Sequence, residues 1–194
     1  MRINEIFYSI QGEGIYAGTP AVFIRFSTCN LSCSFCDTDF TGYTNMSEEE
    51  IVNYAKEIGK NSVHVVLTGG EPTLQLTDSL CHKLHNIGKF LQIETNGTGL
   101  VPDAVDFITC SPKIEFCINS KLKVQHIDEL KVIFNDKNDM TIYENIKAKY
   151  YSLQPCDTGD SSKNKTIVKH TIEYCKNNPI WRLSIQTHKI LNVK

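Results

Sequence analysis

The chain has 194 residues, 41% of them hydrophobic and 22% charged, with a formal charge of −2. That balance suits one globular domain over residues 1–194 with a proper core, and it excludes the basic field of a nucleic-acid-binding surface. No apolar run approaches the roughly 20 residues needed to cross a bilayer, and the start MRINEIFYSIQGEG carries no export signal, so the expectation is a cytoplasmic protein with no membrane and no direct nucleic-acid partner.

Residues 3–9 and 21–26 read as strands joined by the glycine-rich turn 11–20, and a cysteine loop then runs to about residue 43. Ser47, with Glu50 three residues on, predicts a capping box and a helix that stops at Gly59. A β-branched run at 63–68 leads into Gly69-Gly70-Glu71-Pro72, and a helix follows over 76–87, closed by Gly88. Strands at 90–94 and 106–109 end in Thr95-Asn96-Gly97 and Ser111-Pro112-Lys113. Beyond a loop over 114–126 come a strand at 129–134, a helix at 140–149, a strand at 151–153, a helix at 163–176 and a last strand at 182–186. Lys163, Lys165 and Lys169 lie among acidic residues and read as a solvated helix face.

Short strands alternating with helices predict a parallel sheet with right-handed crossovers. Each polar cluster follows a predicted strand: the cysteine loop, the glycine pair, Glu94 to Gly97, Ser111 to Lys113, and Gln154-Pro155-Cys156-Asp157. In parallel α/β folds those loops share one face, where ligands bind. The clusters therefore read as one site.

Cys29, Cys33 and Cys36 have the spacing C-x3-C-x2-C. A 4Fe–4S cluster normally takes four thiolates; three leave one iron open to a small molecule. A structural zinc site wants four ligands, commonly in two close pairs, and no second pair occurs here. His82 and His85 share a helix and need no metal. Cys81, Cys110, Cys117, Cys156 and Cys175 are scattered, and Cys81 and Cys175 read as small buried apolar residues. Nothing sends the chain to an oxidising compartment where disulfides would form.

The cysteine spacing, with Phe35 before the last cysteine and the Gly69-Gly70-Glu71-Pro72 turn beyond, resembles the radical S-adenosylmethionine superfamily. Residues 6–14 (IFYSIQGEG), Pro20, Phe23 and Arg25, Cys36-Asp37-Thr38 and the C-terminal run 183–189 (LSIQTHK) narrow this. Along the whole chain they resemble the 7-carboxy-7-deazaguanine synthases. The resemblance implies an α/β fold, a truncated, incomplete (β/α) barrel of the radical SAM type with parallel strands. It also implies a lyase of queuosine biosynthesis that converts 6-carboxy-5,6,7,8-tetrahydropterin to 7-carboxy-7-deazaguanine with loss of ammonia. The cofactors it implies are one 4Fe–4S cluster on the three cysteines, S-adenosylmethionine on the open iron, and Mg2+.

On that resemblance Phe35, Cys36, Asp37, Gly70, Glu71, Ser111, Pro112, Lys113, Gln154, Pro155, Cys156 and Asp157 surround S-adenosylmethionine. Ile10, Gln11, Gly12, Glu13, Arg25, Thr68 and His188 surround the pterin, with Arg25 as the fork for its carboxylate. Thr38 matches a hydroxyl ligand of Mg2+, although a threonine after a loop cysteine is also an ordinary turn residue. Glu13 and Glu71 could equally be turn carboxylates, Glu94 and Asn96 lining groups, and His188 a packing residue; the C-terminal carboxylate of Lys194 also lies within possible reach. An external flavodoxin or ferredoxin would supply the electron, and a homodimer is implied. Two rivals remain. A glycyl-radical activase shares the cysteines but has no use for the IQGEG segment, and a zinc scaffold would bind no iron.

Overall fold

The computed structural model describes residues 1–36, 38 and 42–194. Its strands are β1 (Arg2–Ile10), β2 (Pro20–Phe26), β3 (Thr44–Asn45), β4 (His64–Gly69), β5 (Phe90–Thr95), β6 (Phe107–Cys110), β7 (Glu129–Phe134), β8 (Tyr150–Pro155) and β9 (Trp181–Leu183). Its helices are α1 (Glu48–Gly59), α2 (Asp78–Asn86), α3 (Ser161–Asn177) and α4 (Thr187–Leu191). The strands form one open sheet in the order β3-β1-β2-β4-β5-β6-β7-β8-β9. From β2 onward every pairing is parallel. This is a partial barrel, as expected. No helix among the described residues is long and apolar enough to cross a membrane.

Alternation along the strands gives the sheet two unlike faces, because successive side chains point to opposite sides. Leu91 and Ile93 of β5 join α1 and α2 in one apolar cluster with Val65, Leu67, Ile51 and Leu80. Leu130 and Val132 of β7 and Leu153 of β8 join Ile167 of α3 and Trp181 in a second. The intervening residues point the other way and are polar: Gln92, Glu94, Thr109, Glu129, Lys131, Ser152 and Gln154. A polar concave face is what a barrel needs if it holds a ligand.

Local chemistry sets the helix starts. Ser47 N donates to Glu50 Oε2 at 2.7 Å and Glu50 N donates to Ser47 Oγ at 3.2 Å, completing the predicted capping box. Thr77 caps α2 and Asp160 caps α3, so these helices begin two residues after and two residues before their expected starts.

Four other features differ from expectation. β1 runs antiparallel to β2, because the short turn between them leaves no room for a crossover. β3 pairs with β1 within the stretch expected only as loop or helix approach. The helix expected over 140–149 is a single 3-10 turn, Met140–Tyr143. Met140 and Tyr143, three residues apart, are its buried residues, and the Tyr143 hydroxyl donates to Glu115 Oε2 at 2.8 Å. The last strand stops at Leu183. After Ser184 N bonds the Leu153 carbonyl at 2.9 Å, the chain turns so that Thr187 N reaches the Gly12 carbonyl at 3.0 Å, and α4 begins.

Candidate active site

One cavity of about 810 Å³ opens at the carboxyl ends of the parallel strands. Cys29, Cys33 and Cys36 line it, all free thiols. Their loop is held from three sides. Gly70 N donates to the Phe26 carbonyl at 3.1 Å and Glu71 N to the Thr28 carbonyl at 2.9 Å, so the glycine turn after β4 carries the loop's start. Asn30 bonds Thr98 and Asn96 beyond β5 at 2.8 and 3.1 Å. Phe35 meets Phe116 edge to face, with ring centroids 4.7 Å apart.

The fit to a three-thiolate cluster is tested by this cradle. The three thiols are unbridged and line one cavity, and the start of their loop packs on the turn after β4, where glycine permits backbone-to-backbone approach: a Cβ on Gly70 would lie 1.9 Å from the Thr28 carbonyl oxygen. Burial pushes the Cys29 thiol up, and burial with the Cys117 thiol 3.4 Å away pushes Cys33 up to about 12. Both must lose protons before they can ligate metal. The donor chemistry suits the cluster, whose irons are spread over several ångströms; among the described residues no three His, Cys, Asp or Glu side chains are gathered closely enough to hold a single metal ion.

Most of the expected cofactor-lining residues also meet this cavity: Gly70, Ser111, Lys113, Gln154, Pro155, Cys156 and Asp157, with Phe35 and Thr38 beside the cysteines. Three do not join them. Asp37 lies outside the described residues. Pro112 is buried and is absent from the cavity wall. Glu71 is fully buried: its carboxylate accepts from Thr73 N at 3.1 Å, Thr73 Oγ1 at 2.7 Å, Thr95 Oγ1 at 2.7 Å and Asn96 N at 2.7 Å. Three of these donors meet Oε1 and one meets Oε2, so Glu71 ties the turn after β4 to the end of β5.

The same cavity is also lined by Ile10, Gln11, Gly12, Glu13, Arg25, Thr68 and His188. Arg25 stands beside Thr68 in the β2–β4 register, with its Nε 2.9 Å from Glu5 Oε1. The C-terminal segment straps onto the turn after β1. Thr187 bonds the Gly12 carbonyl, the His188 ring stands where a Gly12 Cβ would be, and Ser9 Oγ donates to the Lys194 carbonyl at 2.5 Å. Lys194 also pairs with Glu5.

Two cationic side chains shape the floor. Lys113 Nζ donates to Ser111 at both its carbonyl and its hydroxyl, and burial lowers its basicity. Lys131 Nζ lies 2.6 Å from Glu13 Oε2 and 2.7 Å from Glu94 Oε2. Sequence reasoning passed over Lys131. Its signal was there in ELKVIF of β7: two charged residues two apart in an otherwise apolar strand must share one face.

The Radical SAM superfamily model matches residues 23–149. A 7-carboxy-7-deazaguanine synthase of Bacteroides thetaiotaomicron is 47% identical over 194 residues, covering 100% of this chain and 98% of its own. One of Burkholderia multivorans is 38% identical over 212 residues, covering 98% of each. The crystal structure of QueE from Escherichia coli superposes with a TM-score of 0.79 at 27% identity, covering 95% of this chain and 93% of that one.

Proposed function

The chain belongs to the radical SAM superfamily and, within it, to the 7-carboxy-7-deazaguanine synthases, and from that premise we propose how its cavity performs the reaction. The activity is the formation of 7-carboxy-7-deazaguanine in queuosine biosynthesis, with a 4Fe–4S cluster and S-adenosylmethionine as cofactors. When bound, these supply the 5′-deoxyadenosyl radical that takes and returns a hydrogen atom.

The residues divide the remaining work. Cys29, Cys33 and Cys36 would hold the cluster, and Gly70 with Ser111, Lys113 and Gln154 to Asp157 would position the S-adenosylmethionine. Arg25 takes the carboxylate of 6-carboxy-5,6,7,8-tetrahydropterin, a planar anion that suits a guanidinium fork. Gln11, Gly12, Glu13, Thr68 and His188 hold the pterin edge, and the strap from β9 to Lys194 excludes water above it. Thr38, which lines the cavity, would offer its hydroxyl to Mg2+, an ion that takes few protein ligands.

The observation that carries this reading is that three free thiols and Arg25 line one cavity. An external flavodoxin or ferredoxin in the reducing cytoplasm delivers the electron. A homodimer covers sheet edges that would otherwise present unpaired backbone.

Anaerobic incubation of the reconstituted protein with the tetrahydropterin, S-adenosylmethionine and dithionite tests the reading. Deazaguanine and ammonia should form together, and 5′-deoxyadenosine without deazaguanine would overturn the substrate assignment. Thr38→Ala should weaken the dependence of turnover on Mg2+ and leave iron content unchanged. An unaltered Mg2+ response would remove Thr38 from the metal.

A further inference from the structure

At the cavity floor one ammonium lies between two carboxylates. The side chains of Lys131, Glu13 and Glu94 are only 6%, 17% and 15% exposed. Two negative charges sharing one positive charge in a poorly hydrated space favour keeping a proton on one of the acids. The donors are unequal. Glu13 has Lys131 on one oxygen and Gln186 Nε2 on the other, at 2.6 and 2.8 Å. Glu94 has Lys131 at 2.7 Å, but among the described residues its other oxygen has only the Gln11 and Gln92 amides, both at 3.2 Å.

The surrounding charges point the same way. Glu129, from β7, adds a negative field at Glu94, whereas His188 from the C-terminal strap and Lys113 from the loop after β6 face Glu13. Glu129 itself is fixed by Ile15 N, Ser152 and Thr109 at 3.0, 2.5 and 3.1 Å.

We propose that Lys131 is a positioning residue that decides which of its two carboxylates carries the exchangeable proton of the cavity, holding Glu13 charged and leaving Glu94 as the acid–base group. The shifts agree with the geometry. Burial raises Glu94 to about 7 against the pull of Lys131, while for Glu13 the Lys131 charge and hydrogen bond outweigh burial and hold it at about 2.

The use of that proton rests on the function proposed above; the charge arrangement does not. Loss of ammonia requires a proton on the departing nitrogen. Glu94 gives its proton as the carbon–nitrogen bond breaks and the bonding pair leaves with nitrogen. The resulting carboxylate then takes a proton from the ring carbon, whose C–H pair closes the aromatic ring. The exchange is redox-neutral and returns Glu94 to its starting state.

The test is an infrared titration of the cluster-loaded protein, following the protonated-carboxyl band that disappears in Glu94→Gln. Lys131→Met removes the opposite charge and should move the midpoint of that band up by about 1–3 pH units. Glu13→Gln removes the competing anion and should move it down, and Lys131→Arg should restore the wild-type midpoint. A structural lysine would move neither. The proposal is overturned if Glu94→Gln removes no titrating band, or if the midpoint stays put in Glu13→Gln and in any folded Lys131→Met. Should Lys131→Met not fold, the sign of the Glu13→Gln shift decides alone. Opposite shifts in a protein that makes no deazaguanine would retain the charge arrangement and sink the reaction; product without the shifts would do the reverse.

Discussion

Replacing Gly70 with alanine sets a Cβ 1.9 Å from the Thr28 carbonyl oxygen, 2.4 Å from its carbon and 2.9 Å from the Cys29 nitrogen. Real Cβ contacts stay beyond 3.0 Å. The obstructing atoms are backbone and cannot rotate aside, so the start of the cysteine loop must retreat by about 1 Å through a close-packed interior. Overpacking of this kind costs about 1–3 kcal/mol. Metal–ligand distances tolerate about 0.2 Å, so the displaced Cys29 thiol falls outside ligating range long before the sheet unfolds. Gly70→Ala should therefore keep its circular dichroism but lose most of its iron and acid-labile sulfide after anaerobic reconstitution. Gly42→Ala, where no atom of the described residues lies within 4 Å of the new Cβ, should load like wild type. A Gly70→Ala protein with full iron content and an unchanged melting temperature would refute the argument that the glycine turn seats the cysteine loop.

Three further outcomes follow from the same geometry. Arg25→Lys keeps the charge but loses the planar fork, and steady-state kinetics should show KM for the pterin rising about tenfold, roughly 1.4 kcal/mol, with a smaller change in kcat; an unchanged KM would separate Arg25 from the carboxylate. Glu71→Gln presents an NH2 group to donors that now meet a carboxylate, which should destabilise the fold by about 1.5–3 kcal/mol in chemical denaturation. A loss confined to S-adenosylmethionine affinity would mean the carboxylate faces the cofactor instead. Hydrogen bonds from Lys83, Ser79 and Thr77 hold the Glu48 carboxyl at about 2. A depressed carboxyl adds stability above its unfolded value of about 4.3 and loses it as pH falls through the folded one. The melting temperature should consequently drop more steeply between about pH 4.5 and 2 in wild type than in Glu48→Gln, and parallel curves would dismiss this link between α1 and α2.

The sequence made the ligand-facing end of the sheet legible because polar motifs there interrupt apolar strands at fixed places. Cys29, Cys33, Cys36, Gly70 and Ser111 could be placed from strand order alone. What it concealed depends on contacts between distant segments. Glu71 and Glu94 are both acids closing a strand or turn, yet one is held by backbone and hydroxyl donors and the other shares an ammonium from β7. The α4 strap was hidden for a similar reason. Residues 182–186 have strand character, and only the meeting with Gly12 diverts the chain into a helix. The Met140–Tyr143 turn shows the same limit, since the two buried residues that fix it sit three apart, a spacing compatible with either helix type.

The central claim is a three-thiolate cluster with one iron open to a sulfonium nucleotide. Electron paramagnetic resonance of the reduced, reconstituted protein, recorded with and without S-adenosylmethionine, addresses it most directly. The account predicts a 4Fe–4S signal that changes on adding the nucleotide and disappears in Cys29→Ala, Cys33→Ala and Cys36→Ala. A signal indifferent to the nucleotide, or a protein that takes up zinc and no iron, would contradict it.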